Sequence, residues 1–531
     1  MKKILSRLGS LGLAMVMVLG ILGTGIVPAD AAPDGNWIDY AAEAFAGGSG
    51  TADDPYRIAT AEQLAKLAKD VNSAVLGSTH EGEYFVLTDS ISLSKHAWTP
   101  IGRGPVGDPP SDFAFSGYFD GAGHTITGLY VDTTSTGYYA GLFGCIVAIS
   151  DEPSVKGLTI TGAEVSGTSQ AGILVGSLGR TSSGTPVIKD CSVQGTVQGT
   201  KEKVGGLIGN ANYAVISGCS TDVDVSAQGV AGGFIGNSFS SNFTDCASDG
   251  TVSGGYSVGG FAGILFYNTT VERCTSKADV DAYDWNVGGF VGYAESNDSS
   301  APVRITNSEA YGNVHSSLTT AEIRTGGFVG NVNDEYVEID SSSAHGAVTY
   351  ESTDYVPGGF AGMNNGQISN CTFNLTANPA IPAIGGAVGS GSNPDGITPV
   401  PEGGQQPDED KPAREYGDYY GNEKWDEVKR EIARLIEDGE EGETIEVSAT
   451  GLPYFPSSVA RALKGHDITL EVRKNGVTYK INGLEIGDID KIWYEFEDLE
   501  AQLLTASAAE STEEAENTAD SVDKTNPETG R

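Results

Sequence analysis

Side chains able to do chemistry are plentiful in this sequence, but few stand at spacings that chemistry uses. The six histidines, His80, His96, His124, His315, His345 and His466, lack the intervals that bring imidazoles onto one metal ion. There is no Walker phosphate loop, Gly-x-x-x-x-Gly-Lys-Ser/Thr. His80-Glu81 is followed by Gly82-Glu83-Tyr84, so the zinc-protease pattern His-Glu-x-x-His is absent. Asp222 with Asp224, and Asp279 with Asp281, fall at alternate positions of β-like segments. Such carboxylates bind calcium where several oxygens converge, but a solvated strand face accounts for them. The expectation is no catalytic residue, no metal and no cofactor.

A different pattern suggests binding. Tyr256, Trp285, Ile323 and Tyr355 each stand three residues before the first glycine of a recurring phrase. If the phrases stack, Tyr256 and Trp285 become neighbours, and aromatic faces in a row hold sugar rings or a protein partner. A stacked corner covering the core is the structural alternative. The stripe lapses at Glu202 and Gly229. Tyr256, Trp285 and Tyr355 are therefore the candidate ligand-binding residues.

The phrase itself is Val204-Gly205-Gly206-Leu207-Ile208-Gly209-Asn210. It returns at Gly232-Gly233-Phe234, Gly259-Gly260-Phe261, Gly288-Gly289-Phe290, Gly326-Gly327-Phe328 and Gly358-Gly359-Phe360, with weaker copies near Gly141, Gly172 and Gly385. Gly206, Gly233 and Gly260 are 27 residues apart, and the loosest gap, Gly289 to Gly327, is 38. Periods of this size mark a repeat array. A small residue follows each phrase: Cys191, Cys219, Cys246, Cys274, Ser308, Ser342 and Cys371. Valine stands six positions later at Val197, Val225, Val252, Val280, Val314 and Val348, with Ala377 in the last copy. Three short β-branched or aromatic segments per repeat predict one turn of a right-handed parallel β-helix-like solenoid, its coils stacked at about 4.8 Å. Glycine is expected at the corners, where it adopts conformations a Cβ blocks.

The phrase resembles the GLUG motif, a short repeat of bacterial surface proteins, over roughly Gly141 to Gly389, and Gly117 to Ile126 resembles the leader that precedes such repeats. The resemblance implies an adhesin-like protein. Some immunoglobulin A peptidases share the motif, but they resemble zinc enzymes, and their protease activity does not carry over without His-Glu-x-x-His.

The sequence has 531 residues and a formal charge of −40. That charge argues against nucleic acid and anionic membranes as partners and suits an extracellular surface. The 73 glycines lack a triplet period, which excludes collagen. Five of the six cysteines share one rung position where serine substitutes, which predicts buried free thiols rather than disulfides.

In chain order, residues 1–31 read as a secretory signal: Lys2, Lys3 and Arg7, an apolar run Leu8 to Leu22, then Ala29-Asp30-Ala31. An uncleaved anchor is the alternative. Residues 33–83 are the N-terminal cap, with a capping box Thr60-Ala61-Glu62-Gln63 and a helix whose Leu64, Leu67, Ala68 and Val71 share one face. Residues 84–391 form the solenoid, 392–415 a proline-rich linker and 416–500 a small α+β domain. Within that domain Trp425, Val428, Ile432, Leu435 and Ile436 mark an amphipathic helix stopping at Gly439, and Asn475-Gly476 marks a hairpin. Residues 501–531 form an acidic tail without aromatics, predicted to be disordered.

The last residues, Asn526, Pro527, Glu528, Thr529 and Gly530, resemble a sortase sorting signal, whose first residue is more often leucine. That resemblance implies attachment to a Gram-positive cell wall; the apolar span and basic tail of such signals do not follow.

Two function classes emerge. One is a secreted or cell-surface, non-enzymatic adhesin or scaffold that binds glycans or extracellular proteins. The other, by analogy of fold alone, is a polysaccharide lyase or glycoside hydrolase. Acidic and basic groups converging in one deep cleft favour the enzyme; scattered charges on a shallow face favour binding.

Overall fold

A computed structural model describes residues 33–73, 79–104, 113–180, 184–319, 324–387, 394 and 396–400, and, with gaps, residues 425–503. The middle of the chain is a stack of parallel coils. Taking one coil as the pattern, Ile208–Asn212, Val215–Ser217 and Ser220–Ala227 are its three long sides. Each side pairs in parallel with its counterparts above and below, giving sheets of eight, eleven and sixteen strands. These are called sheets one, two and three. The glycine phrase adds a short fourth side, Val204–Gly205, which belongs to a five-stranded glycine sheet.

Register is what makes the core. Val197, Val225, Val252, Val280, Val314 and Val348 lie directly over one another in sheet three. Around them Ser220–Ala227 alternates exposed and buried residues, as a sheet with one wet face must. The phrase phenylalanines form a second column. Phe234, Phe261, Phe290, Phe328 and Phe360 are fully buried. Successive ring centroids lie 4.8, 4.8, 4.8 and 4.9 Å apart, within 9° of parallel. The coil spacing dictates that distance, and each pair adds about 0.5–1.5 kcal/mol beyond the area it buries.

The cysteine column works through hydrogen bonds. All six cysteines are buried and free. In the column, Cys219 Sγ donates to Ser217 O at 3.3 Å and Cys274 Sγ to Glu272 O at 3.4 Å. Ser308 Oγ and Ser342 Oγ make the same bond at 2.9 and 3.0 Å. The next coil's side chain accepts in turn: Cys274 N donates to Ser308 Oγ at 3.2 Å. Serine replaces cysteine here because the site asks for a small donor and acceptor, not for a thiol.

The corners differ from the expectation. The residue before each column member has positive φ, and six of seven are not glycine: Asp190, Asp245, Arg273, Asn307, Ser341 and Asn370, with Gly218 the exception. A second left-handed corner falls at Tyr213, Ser240 and Tyr267. Arg273 is an unusual residue at such a position; it grips Asp245, the equivalent residue of the previous coil, with Nε–Oδ1 2.8 Å and Nη2–Oδ2 3.3 Å. The phrase glycines serve closeness instead. A Cβ on Gly206 or Gly233 would sit 2.1 Å from the carbonyl oxygen of the next coil's glycine, and one on Gly260 2.2 Å from Gly289 O. Only hydrogen fits between backbones that approach so tightly.

The N-terminal cap is partly solenoid. Tyr56–Ile58, inside the predicted cap, already pairs with Tyr84–Leu87 as the first rung of sheet two. Helix α1 (Ala61–Val71) buries Leu64, Leu67, Ala68 and Val71 in the same core as Phe85 and Leu87. Thr60 Oγ1 accepts from Gln63 N at 3.3 Å, while Gln63 Oε1 accepts from Ala59 N at 2.8 Å. His124 occupies a turn closed by its N–H donating to Gly121 O at 2.8 Å.

At the other end, Ile397–Val400 pairs with Cys371–Asn374. Stacking thus runs into the segment predicted as linker from residue 392, because Ile397 buries its side chain over the last cysteine. Residues 401–424 lie outside the described residues, as do the signal segment and the tail with Asn526–Gly530.

The C-terminal unit has its own core around Trp425, Val428, Ile432, Leu435, Phe455, Leu470 and Tyr494. Ile436 departs from the predicted apolar face and is exposed. Ile468–Lys474 pairs in parallel with Glu443–Ser448 and antiparallel with Val477–Asn482, the predicted hairpin partner. Trp493–Glu495 pairs antiparallel with Tyr454–Pro456.

Candidate functional site

The angle between the glycine sheet and sheet one leaves a trough on the outside of the stack. One stretch of it is a depression of about 350 Å³. Its floor is the row Asn210, Asn237, Ile264, which register places on three consecutive coils of sheet one. Asn237 Nδ2 donates to Asn210 Oδ1 at 2.8 Å, so the two amides are oriented by each other. Phe239 and Phe266, two residues along the same strands, form one wall with Asn212. Gln170, Glu202, Lys203 and Val230 form the other.

The wall of rings is longer than the depression. The Arg180 guanidinium lies over the Tyr213 ring at 4.1 Å. From there centroids run Tyr213 to Phe239 at 5.5 Å, Phe239 to Tyr267 at 5.4 Å, Tyr267 to Phe266 at 6.3 Å and Phe266 to Tyr293 at 6.0 Å. Tyr213 is 40% exposed. The rings owe their place to the second left-handed corner, which turns Tyr213 and Tyr267 outward at the end of sheet one. The sequence reading missed this ledge. Its signal was an aromatic recurring just after the phrase, at Tyr213, Phe239 and Phe266-Tyr267, close to the 27-residue period.

The predicted stripe stands at the opposite rim. Tyr256 and Trp285 immediately precede consecutive strands of the glycine sheet, Ser257–Gly259 and Asn286–Gly288, and meet with centroids 5.7 Å apart, tilted by 44°. Each is 46% exposed. Tyr283 joins them, its hydroxyl donating to Gln228 O at 3.1 Å and its ring lying against Gly255. Tyr355 does not extend the pair. It is half-buried in an antiparallel ladder opposite Ala387, where the coil turns away, and Ile323 between them lies outside the described residues. Tyr293 follows Ile264 in the floor row and touches the ring wall through Phe266. Burial first, then the negative charge of Glu295 and the hydrogen bond to it, push its hydroxyl well above the usual tyrosine range, and Tyr256 is close enough to contribute.

Polar atoms without partners lie farther along both rows. Asn331, in register with Tyr293, is fully buried, and neither side-chain amide atom has a hydrogen-bond partner. Asn286, in register with Ser257 of the glycine sheet, donates to Ser257 Oγ at 3.1 Å but leaves Oδ1 unpaired.

Of the residues lining the depression only Glu202 and Lys203 are ionisable; Arg180 lies over Tyr213 at one end of the ring wall and Glu295 beside Tyr293 at the other. The paired aspartates lie elsewhere, on the wet face of sheet three. Asp222 accepts from Gln194 Nε2 at 3.0 Å, Asp224 from Thr251 Oγ1 at 2.7 Å and Asp279 from Asn313 N at 2.7 Å. They stitch coils together. Among the described residues no group of three His, Cys, Asp or Glu side chains is placed to share a metal ion.

Residues 254–281 match the model of the GLUG motif. The chain is 35% identical over 181 residues to halomucin of Haloquadratum walsbyi, a match covering 33% of this chain and 2% of that protein. It is 32% identical over 181 residues to a protein of Evansella cellulosilytica provisionally named a Gly-rich membrane protein, covering 34% of this chain and 16% of the relative. The chain thus spans a small part of either relative's length. A crystal structure described as a candidate immunoglobulin A1 protease from Bacteroides ovatus superposes with a TM-score of 0.42 at 22% identity, covering 61% of this chain and 86% of that one.

Proposed function

We propose that this chain is a cell-surface repeat protein whose solenoid works as a non-enzymatic, adhesin-like binding scaffold. The observation that carries the proposal is the outer trough, with aromatic rings on both rims and amides on its floor, displayed on a rigid stack. Rings and amides recognise; they do not supply the paired acid and base that glycosidic cleavage requires. The GLUG match and the names of the relatives support placement at the cell surface. Attachment to a Gram-positive wall through Asn526, Pro527, Glu528, Thr529 and Gly530 belongs to the same proposal and rests on the resemblance of that segment to a sorting signal.

The test is a screen of the secreted chain, residues 33–531, against arrays of glycans and extracellular-matrix proteins, with reducing-end assays on the same polysaccharides. Specific retention without release of reducing ends is expected. Catalytic cleavage of any polysaccharide would overturn the non-enzymatic part, and failure to bind every array member would overturn the binding part. Labelling of intact producing cells by an antibody to the solenoid checks location, and unlabelled cells would overturn it.

A further inference from the structure

We infer that the outer trough is a seat for a linear, uncharged oligosaccharide lying along the coil axis, with Phe239 and Phe266 as stacking platforms and Asn210, Asn212 and Asn237 as hydroxyl-reading groups. The inference rests on the binding reading above and names its site and ligand class.

Three features select this ligand. First, the chemistry is amphipathic in the way a pyranose is. A sugar ring shows an apolar face of C–H groups and an equator of hydroxyls that both donate and accept. Phe239 and Phe266 offer faces for the former, at neighbouring coils. Amide side chains offer a donor and an acceptor together, which suits hydroxyls better than carboxylates or amines. Secondly, the repeat matches. Equivalent side chains recur at the strand-pairing distance of about 4.8 Å, comparable with the length of one sugar unit in an extended chain. A polymer laid along the axis therefore meets one floor residue per coil, Asn210, Asn237, Ile264 and Tyr293 in turn. Thirdly, charge excludes the main alternative. The chain carries −40 overall, and one acid and one base line the depression, so a polyanion gains little there and is repelled at longer range.

The polar row does not stop at the depression. Asn331 and the Asn286 carbonyl oxygen continue the floor and wall rows, buried and without protein partners. Buried amides in that state cost free energy unless something pairs with them. Water ordered beneath a ligand would satisfy them, and Tyr293 lies next to Asn331 in the same row.

The test uses the secreted chain and isothermal titration calorimetry with four probes: cellohexaose, chitohexaose, polygalacturonate and a collagen peptide. Binding of at least one neutral hexamer is expected, weakened about tenfold or more by Phe266→Ala and by Phe239→Ala, as truncation of a stacking anchor does. Asn212→Ala should weaken the same ligand while leaving thermal unfolding unchanged, since Asn212 is only half-buried. Tyr84→Ala, on sheet two, should have no effect. Neutral hexamers that fail to bind, or that bind equally to the Phe266→Ala and Asn212→Ala chains, overturn the assignment. Binding of polygalacturonate alone overturns it as well. Binding of the collagen peptide without any neutral hexamer also overturns it, yet leaves the adhesin-like reading of the chain standing.

Discussion

Gly233→Ala adds a single methyl group, and the structure says it cannot be accommodated. The new Cβ would stand 2.1 Å from Gly260 O and 3.2 Å from Gly260 C and Val252 Cγ2. Reaching even 3.0 Å from that oxygen requires the two coils to part by about 0.9 Å at this point. The obstacle is backbone, so no side chain can rotate out of the way. Parting the coils strains Gly233 N donating to Gly259 O, already 3.2 Å, and disturbs the Phe234–Phe261 stack beside it. Overpacking a tight interior costs about 1–3 kcal/mol, and a rigid backbone obstacle puts this variant at the upper end. The control is Gly179→Ala, which meets nothing within 4 Å and has ordinary backbone angles. Urea unfolding followed by circular dichroism would compare them, with hydrogen exchange at the flanking coils. Gly179→Ala should match the parent within about 0.5 kcal/mol. Gly233→Asn separates two explanations. Were the glycine needed for a left-handed corner, asparagine would be well tolerated; if closeness is the cause, it should be at least as damaging as alanine. Equal midpoints for Gly233→Ala and Gly179→Ala would refute the steric argument.

Further outcomes follow from other columns. Phe290→Ala removes a ring stacked on both sides and fully buried, so it should cost about 3–5 kcal/mol, with exchange accelerated most in the adjacent coils; a loss under about 1 kcal/mol would count against the column. Cys274→Ser should be nearly neutral in denaturant midpoint and Cys274→Val clearly worse, because only serine keeps the donation to Glu272 O. Burial pushes the Cys145 thiol up to about 12 and Cys371 to about 11. A thiol reagent at pH 8 should therefore label neither until the chain unfolds, and rapid labelling of the native chain would contradict that burial. Burial draws the His80 pKa down, but Asp70 and Glu83 outweigh it and hold His80 above its ordinary value of 6.5. His80 Nε2 lies 3.6 Å from Asp70 Oδ2, an ion-pair distance, and Nδ1 meets Glu83. A raised folded value means the contribution is complete below pH 6.5 and disappears as pH rises through that higher value. Exchange protection of α1 should fall over that window in the parent and not in His80→Gln.

What could be read from the sequence was what repeats with the chain's own period. The valine and cysteine columns were legible because each coil repeats the same residue type, and serine at positions 308 and 342 signalled that disulfide pairing is not required there; the hydrogen bonds of that column were not read from the sequence. Corner geometry was hidden, since Asp190, Arg273 and Ser341 share a backbone conformation but no side-chain type. Glycine, the usual clue to such corners, was spent on close approach instead. Half of the trough was visible in the Tyr256–Trp285 pair. The rest stayed obscure because its facing wall is assembled from Tyr213, Phe239 and Tyr267, whose types vary and whose offsets shift by one or two residues between coils. Tyr355 fitted the spacing yet left the row, because an antiparallel ladder with Ala387 ends the glycine sheet's regular course.

The stacking of valine on valine has one more outcome. Val225 has Val197 on one side and Val252 on the other, so splicing out the segment between two of them returns each remaining valine of the column to a valine neighbour. Gain or loss of whole repeats would lengthen or shorten the protein in graduations of about 4.8 Å. The molecule is in that sense a ruler, one that can be recut without being redesigned.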